Sequence, residues 1–128
     1  MEFKKVHHIA IICSDYKKSK DFYVNKLGLE ILAETYREER DSYKLDLALN
    51  GNYIIELFSF PNPPKRISRP EACGLRHLAF EVEDIETVKS ELETKGIMSE
   101  PIRIDEFTGK KFTFFEDPDG LPLEIYEG

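Results

Sequence analysis

Cysteine, long apolar runs and basic excess are all scarce in this chain. Its two cysteines, Cys13 and Cys73, are too few and too far apart for a zinc-type Cys pair or a disulfide framework. Free thiols in a reducing cytoplasm are therefore expected, and a cytoplasmic location with them. Nowhere do about 18 apolar residues run together, so no membrane span and no membrane partner are expected. The opening "MEFKKVHHIAIICSD" has too short an apolar stretch for a secretory signal, and no small-residue cleavage site follows it. With 18 basic against 25 acidic residues, the net charge of −7 argues against a nucleic-acid partner, which a basic surface would normally meet. The only basic cluster, "PPKRISRP" (63–70), is followed at once by Glu71 and reads as a solvated loop, with anion contact as the second reading.

The rest of the composition is that of an ordinary globular protein, 41% hydrophobic and 34% charged. At 128 residues the chain fits one compact domain, or two very small units sharing a core. A repeat favours the second description. When His8 is aligned with His77, Ala10 falls on Ala79, Asp15 on Asp84 and Lys20 on Lys89, and a one-residue deletion then brings Gly28 to Gly96.

Each copy reads as a strand followed by a helix. "VHHIAIIC" and "RHLAFEV" are rich in β-branched and aromatic residues. Asp15 and Asp84 stand where a helix N-cap belongs, and Gly28 and Gly96 where a glycine closes a helix. Ile85, Val88 and Leu92 form the apolar stripe of the second helix; Tyr16, Ser19, Tyr23 and Leu27, with Phe22 beside them, form that of the first. Three strand-like segments follow each helix: 29–36, 42–49 and 52–60, then 97–104, 110–116 and 121–127. Asn50-Gly51-Asn52 and Asp117-Pro118-Asp119-Gly120 are turn signals. The expected fold is α+β: a β-α-β-β-β module 1 (1–60), a Pro-rich linker (61–73) and a second β-α-β-β-β module 2 (74–128).

Each module also carries one acid in its last apolar strand, Glu56 in "YIIELF" and Glu124 in "LPLEIYE". Glu124 follows Glu56 by 68 residues and His77 follows His8 by 69. Strand alternation puts Ile9, Ile11 and Cys13 on the helix side and His8, Ala10 and Ile12 on the other. By the same argument His77, Glu56 and Glu124 all face away from their helices. His7 points with Ile9 and reads as a partly exposed or packed histidine. A half-buried glutamate is costly unless paired or metal-bound. Ion pairs and packed histidines would answer that cost one residue at a time. Two glutamates, each matched to a histidine at the same repeat spacing, point instead to one pseudo-symmetric cation site. Imidazole and carboxylate suit zinc or nickel, and also cobalt, manganese or ferrous iron.

The stretches "HHIAIICSDYKKSKDFYVNKLG", "YIIELF", "GLRHLAFEVED" and "FFEDPDGLPLEIYE" resemble the vicinal oxygen chelate superfamily, which includes glyoxalase I, extradiol dioxygenases, fosfomycin-modifying enzymes and methylmalonyl-CoA epimerase. The resemblance covers nearly the whole chain and is closest to small bacterial glyoxalase-like proteins. It implies paired βαβββ modules forming an open, cup-shaped eight-stranded sheet, often as a homodimer. The four-ligand pattern of glyoxalase I maps onto His8, Glu56, His77 and Glu124. The implied activity is isomerisation of a thiol hemithioacetal of a 2-oxoaldehyde through a metal-bound enediolate, with Glu124 or Glu56 as the base. The partner implied is a small-molecule substrate, a thiol adduct. The alternatives are another activity of the superfamily (epimerase, extradiol dioxygenase or thiol transferase) and a non-catalytic drug-binding protein of the bleomycin-resistance kind.

Outside these four positions the candidates are weaker. Arg37, Arg40, Lys110 and Lys111 are each suited to an anion but more often solvated in such positions. One of the alternating pairs Phe112/Phe114 and Thr113/Phe115 is a candidate pocket lining, and Cys13 reads as inert packing.

Overall fold

Strands with apolar residues at every second position must bury one face, and each half of this chain supplies a helix to cover it. The computed structural model describes residues 1–128. It divides into two compact units, Met1–Pro64 and Lys65–Gly128. The first unit holds β1 (Ile9–Cys13), α1 (Tyr16–Lys20), β2 (Glu30–Arg37), β3 (Ser42–Leu49) and β4 (Asn52–Ser59). The second holds β5 (Leu78–Val82), α2 (Ile85–Thr94), β6 (Arg103–Ile104), β7 (Lys111–Glu116) and β8 (Pro122–Glu127). Each unit forms a four-stranded sheet, in the orders β1-β4-β3-β2 and β5-β8-β7-β6. The α+β class and the doubled βαβββ order are those expected from sequence.

The helices begin as their sequences direct. Asp15 accepts from the Lys18 amide at 3.1 Å, and Asp84 from the Thr87 amide at 3.2 Å. After one turn α1 widens into a π-helix over Asp21–Lys26, a local departure from the single regular helix expected. It turns Phe22 and Tyr23 together into the core, where they are 5% and 0% exposed, and leaves Leu27 only partly buried. Both helices end at the anticipated glycines, Gly28 and Gly96, with φ of 80° and 78°.

The sheets follow the expected alternation. Leu45, Leu47, Ile55 and Leu57 are fully buried in the first unit; Leu123, Thr113 and Ile85 are so in the second, where α2 packs on β8. One expected strand is cut short: of residues 97–104 only Arg103 and Ile104 pair, with Phe112 and Lys111. Pro101 has no amide hydrogen to give a ladder, and the preceding Glu100 amide bonds instead to the Phe114 carbonyl at 2.9 Å. Residues 60–77 contain no strand or helix, as their prolines require. Asn50 and Gly51 both take positive φ, 50° and 79°, the backbone of a tight hairpin joining β3 to β4.

These cores predict a steep contrast between the two sheet faces. Leu123→Ala should lower unfolding stability by about 2–5 kcal/mol in urea melts. Ile12→Ala, on a strand position 55% exposed, should change it by less than about 1 kcal/mol. Equal losses would show that the helix-facing side is not the core.

Candidate metal centre

In each unit the first strand lies parallel to the last. β1 meets β4 with Ala10 opposite Glu56, and β5 meets β8 with Ala79 opposite Glu124. The histidine two residues before each alanine, just ahead of the first strand, reaches the carboxylate with its side chain. His8 Nε2 lies 3.7 Å from Glu56 Oε1, and His77 Nε2 lies 3.6 Å from Glu124 Oε1. The glutamate side chains are 17% and 13% exposed, the histidines 36% and 26%. The expected partners within each module are thus brought together. No cluster of three or more His, Cys, Asp or Glu side chains is assembled around either pair.

The donor chemistry of the pairs fits a divalent cation. Two ligand atoms at about 2.1 Å from one ion stand roughly 3.0–3.4 Å apart, so both pairs would need to close by only a few tenths of an ångström. His8 Nδ1 is 2.9 Å from His7 Nδ1, which leaves Nε2 as the ring nitrogen turned to Glu56. His7 thus contacts His8 directly. Both residues precede β1, so strand alternation does not separate them as the sequence reading supposed.

The surroundings of the two pairs differ. In the first unit, Tyr53 stacks flat on His8 with ring centroids 5.1 Å apart. Its hydroxyl lies 2.8 Å from Asp46 Oδ1 and 3.2 Å from Glu56 Oε2. Asp46 sits directly opposite Glu56 in the β3–β4 ladder. Lys44 donates to both oxygens of Asp46 at 2.8 and 2.9 Å and stands 3.4 Å from Glu56 Oε2. In the second unit the residue opposite Glu124 is Phe114, which meets the His77 ring edge-on at 5.1 Å.

Tyr53, Lys44 and Asp46 were not singled out by sequence. Lys44 and Asp46 had a signal, the polar positions of "SYKLDLAL", which alternation puts on the face opposite Leu45 and Leu47. Tyr53 had none, since it stands three positions before Glu56, at the opposite parity. A bulge in β4 at Ile54, where the register steps from Leu47↔Ile55 to Ala48↔Tyr53, brings it to that face. Of the weaker candidates, Phe112 and Phe114 lie on the glutamate side, while Thr113 and Phe115 are buried. Lys111 is tied to Glu86 at 2.9 Å, Arg40 and Lys110 are exposed, and Cys13 is buried packing.

Burial raises the Asp46 pKa, but hydrogen bonds from Lys44 and Tyr53 outweigh it and hold the carboxyl below its usual range. The hydrogen bond to Asp46 in turn raises Lys44. Burial, then the bond to Asp46, pushes the Tyr53 phenol well up, so it stays protonated and able to donate.

The chain's place among known proteins agrees with this architecture. The sequence model of the Glyoxalase/Bleomycin resistance protein/Dioxygenase superfamily matches residues 5–125, and the chain belongs to that superfamily. It is 68% identical to the Bacillus subtilis protein YwkD, over 99% of each chain. The crystal structure of the glyoxalase family protein from Enterococcus faecalis is 55% identical, with a TM-score of 0.92 over 99% of this chain and 100% of that one. At 18% identity the fold alone is shared with the fosfomycin resistance protein FosX of Listeria monocytogenes, solved with Mn(II) (TM-score 0.76, 99% of this chain and 94% of that one). Superfamily members commonly use a divalent metal.

Because the folded Asp46 pKa is depressed, its stabilising contribution is present above the unfolded carboxyl pKa and is lost as pH falls through the folded value. A carboxyl-carbon NMR titration should find Asp46 below free aspartate in the wild type and closer to it in Tyr53→Phe. An unchanged midpoint in that variant would show that the tyrosine does not bond Asp46 in solution.

Proposed function

We propose that this chain is a metal-dependent lyase of the glyoxalase I kind, isomerising a thiol hemithioacetal of a 2-oxoaldehyde. One observation supports this above others. Each unit holds a histidine and a glutamate 3.6–3.7 Å apart at the same point of its strand ladder. In this reading the two modules are halves of one domain, and His8, Glu56, His77 and Glu124 hold one divalent ion, zinc or nickel before cobalt, manganese or iron. Such an ion would supply Lewis-acid stabilisation to negative charge developing on the substrate's oxygens.

The chain's own residues then have to move one proton. The carboxylate of Glu56 or Glu124 takes it from the carbon bearing the thioether and hydroxyl groups and returns it to the neighbouring carbon, while the hydroxyl proton passes from the first oxygen to the second, so the substrate's formula is unchanged. His8 and His77 hold the carboxylates in place from just ahead of the adjoining strand. A homodimer acting on a small thiol adduct in the cytoplasm completes the proposal.

Metal analysis and a hemithioacetal assay test it together. Purified protein loaded with nickel or zinc should retain one ion per chain, and Glu56→Gln should weaken retention at least tenfold. With methylglyoxal and a panel of thiols, the wild type should isomerise at least one adduct, and the variant should lose at least 100-fold in kcat/KM. Failure to retain metal under any loading condition contradicts the site. Retained metal with no turnover of any adduct contradicts the glyoxalase assignment alone.

A further inference from the structure

The face that carries His8 and Glu56 extends towards the far end of β3 and β4, and there it carries a cation with no acid to neutralise it. Arg37, the last residue of β2, pairs in the ladder with Ser42. Its guanidinium carbon lies 4.7 Å from the centre of the Phe58 ring and 5.6 Å from that of Phe60. Nη2 donates to the Ser42 hydroxyl at 2.9 Å. Its Nε is buried and has no hydrogen-bond partner. Phe58 is two residues beyond Glu56 and opposite Lys44, so it points to the same side of the sheet. Two strand residues span roughly 7 Å, which sets the distance along the sheet between the carboxylate and the arginine's platform.

An arginine at a strand end is commonly a solvated surface charge. This one is partly buried, laid across two aromatic rings and fixed by a buried serine. Such placement orients a guanidinium, and the rings add cation–π attraction without cancelling its charge. The other cation of this face, Lys44, is already paired with Asp46 and Glu56. The second unit offers an internal comparison. There Arg103 lies 5.0 Å from the Phe112 ring centre and 5.7 Å from that of Phe114, again on the glutamate-bearing side. Arg103 has a carboxylate, Glu100, at 3.0 Å. Of the two ring-mounted arginines, Arg37 is the one without an ion pair.

We propose that Arg37 is an anion-binding residue of the site, receiving a carboxylate or phosphate oxyanion carried on the substrate roughly 7 Å from its reacting carbons. The proposal rests on the metal-site reading above and narrows it. The substrate bears two vicinal oxygens at one end and an oxyanion a short tether away. A guanidinium fork suits such a group because it offers parallel N–H donors to two oxygens at once.

Two chelators of the same type test this: acetohydroxamate, which is neutral beyond its chelating end, and the monohydroxamate of succinic acid, which adds a carboxylate on a short tether. With nickel-loaded wild type, calorimetric titration should show the carboxylated chelator binding at least tenfold more tightly. Arg37→Met should abolish that advantage while metal content and the affinity for acetohydroxamate stay within twofold. Arg37→Lys, which keeps the charge, should retain part of it, and Arg103→Met all of it. Equal affinities in the wild type, or an advantage that survives Arg37→Met, would overturn the proposal.

Should the protein retain no metal, the site reading fails, and inorganic phosphate titrated into unloaded protein then decides for Arg37. Saturable amide shifts around Ser42 and Phe58 that vanish in Arg37→Met support an anion site there; their absence in the wild type contradicts it. A phosphate response with no preference for the carboxylated chelator counts against the tethered-substrate form.

Discussion

The parallel pairing of the first strand of each unit with its last governs everything at the candidate site. A helix covers one face of each sheet, so the alternating apolar residues of β4 and β8 turn to that side, and Glu56 and Glu124, at the other parity, turn to the opposite one. Pairing β1 with β4, and β5 with β8, then sets Ala10 and Ala79 opposite the glutamates, and the histidine just ahead of each first strand within reach of the carboxylate. Neither His–Glu pair needs a special loop or a strained backbone. Each follows from register, and a one-residue slip in either parallel pair would send the glutamate into the core.

Although the repeat supplies the same ligand types twice, it places them in different company. Glu56 faces a charged and hydroxylated neighbourhood of Asp46, Lys44 and Tyr53, whereas Glu124 faces Phe114. The second carboxylate oxygen of Glu56 has donors within reach from two side chains, while Glu124 has His77 at its first oxygen and the Arg76 charge nearby. Two carboxylates of one chemical type are therefore restrained unequally. The two arginines repeat the theme: both rest on phenylalanines, and only Arg103 is neutralised from within the chain.

Much of this was legible in the sequence because it depends on period-two alternation and on local caps. The faces of Glu56 and Glu124, the aspartate N-caps, the closing glycines and the hairpin at Asn50-Gly51 all follow from such patterns, and the repeat spacing pointed to His8 and His77. What was hidden depends on irregularity. The π-helical segment after Lys20 changes which residues of the first helix are buried, and no propensity announces it. The bulge at Ile54 breaks the parity that would otherwise keep Tyr53 off the Glu56 face. Pro101 was visible, but the strand-like composition around it outweighed it in the reading of 97–104. Arg37 was noticed as a charge; its mounting on Phe58 and Phe60 needs the sheet register to be seen.

The central proposal is that the two His–Glu pairs serve one ion. X-ray absorption at the nickel edge, on protein loaded to one ion per chain, tests it most directly. The account predicts a single environment with two imidazole nitrogens and carboxylate oxygens from two glutamates, losing one imidazole in either His8→Ala or His77→Ala. An ion bound through one imidazole only, indifferent to one of those substitutions, would contradict it.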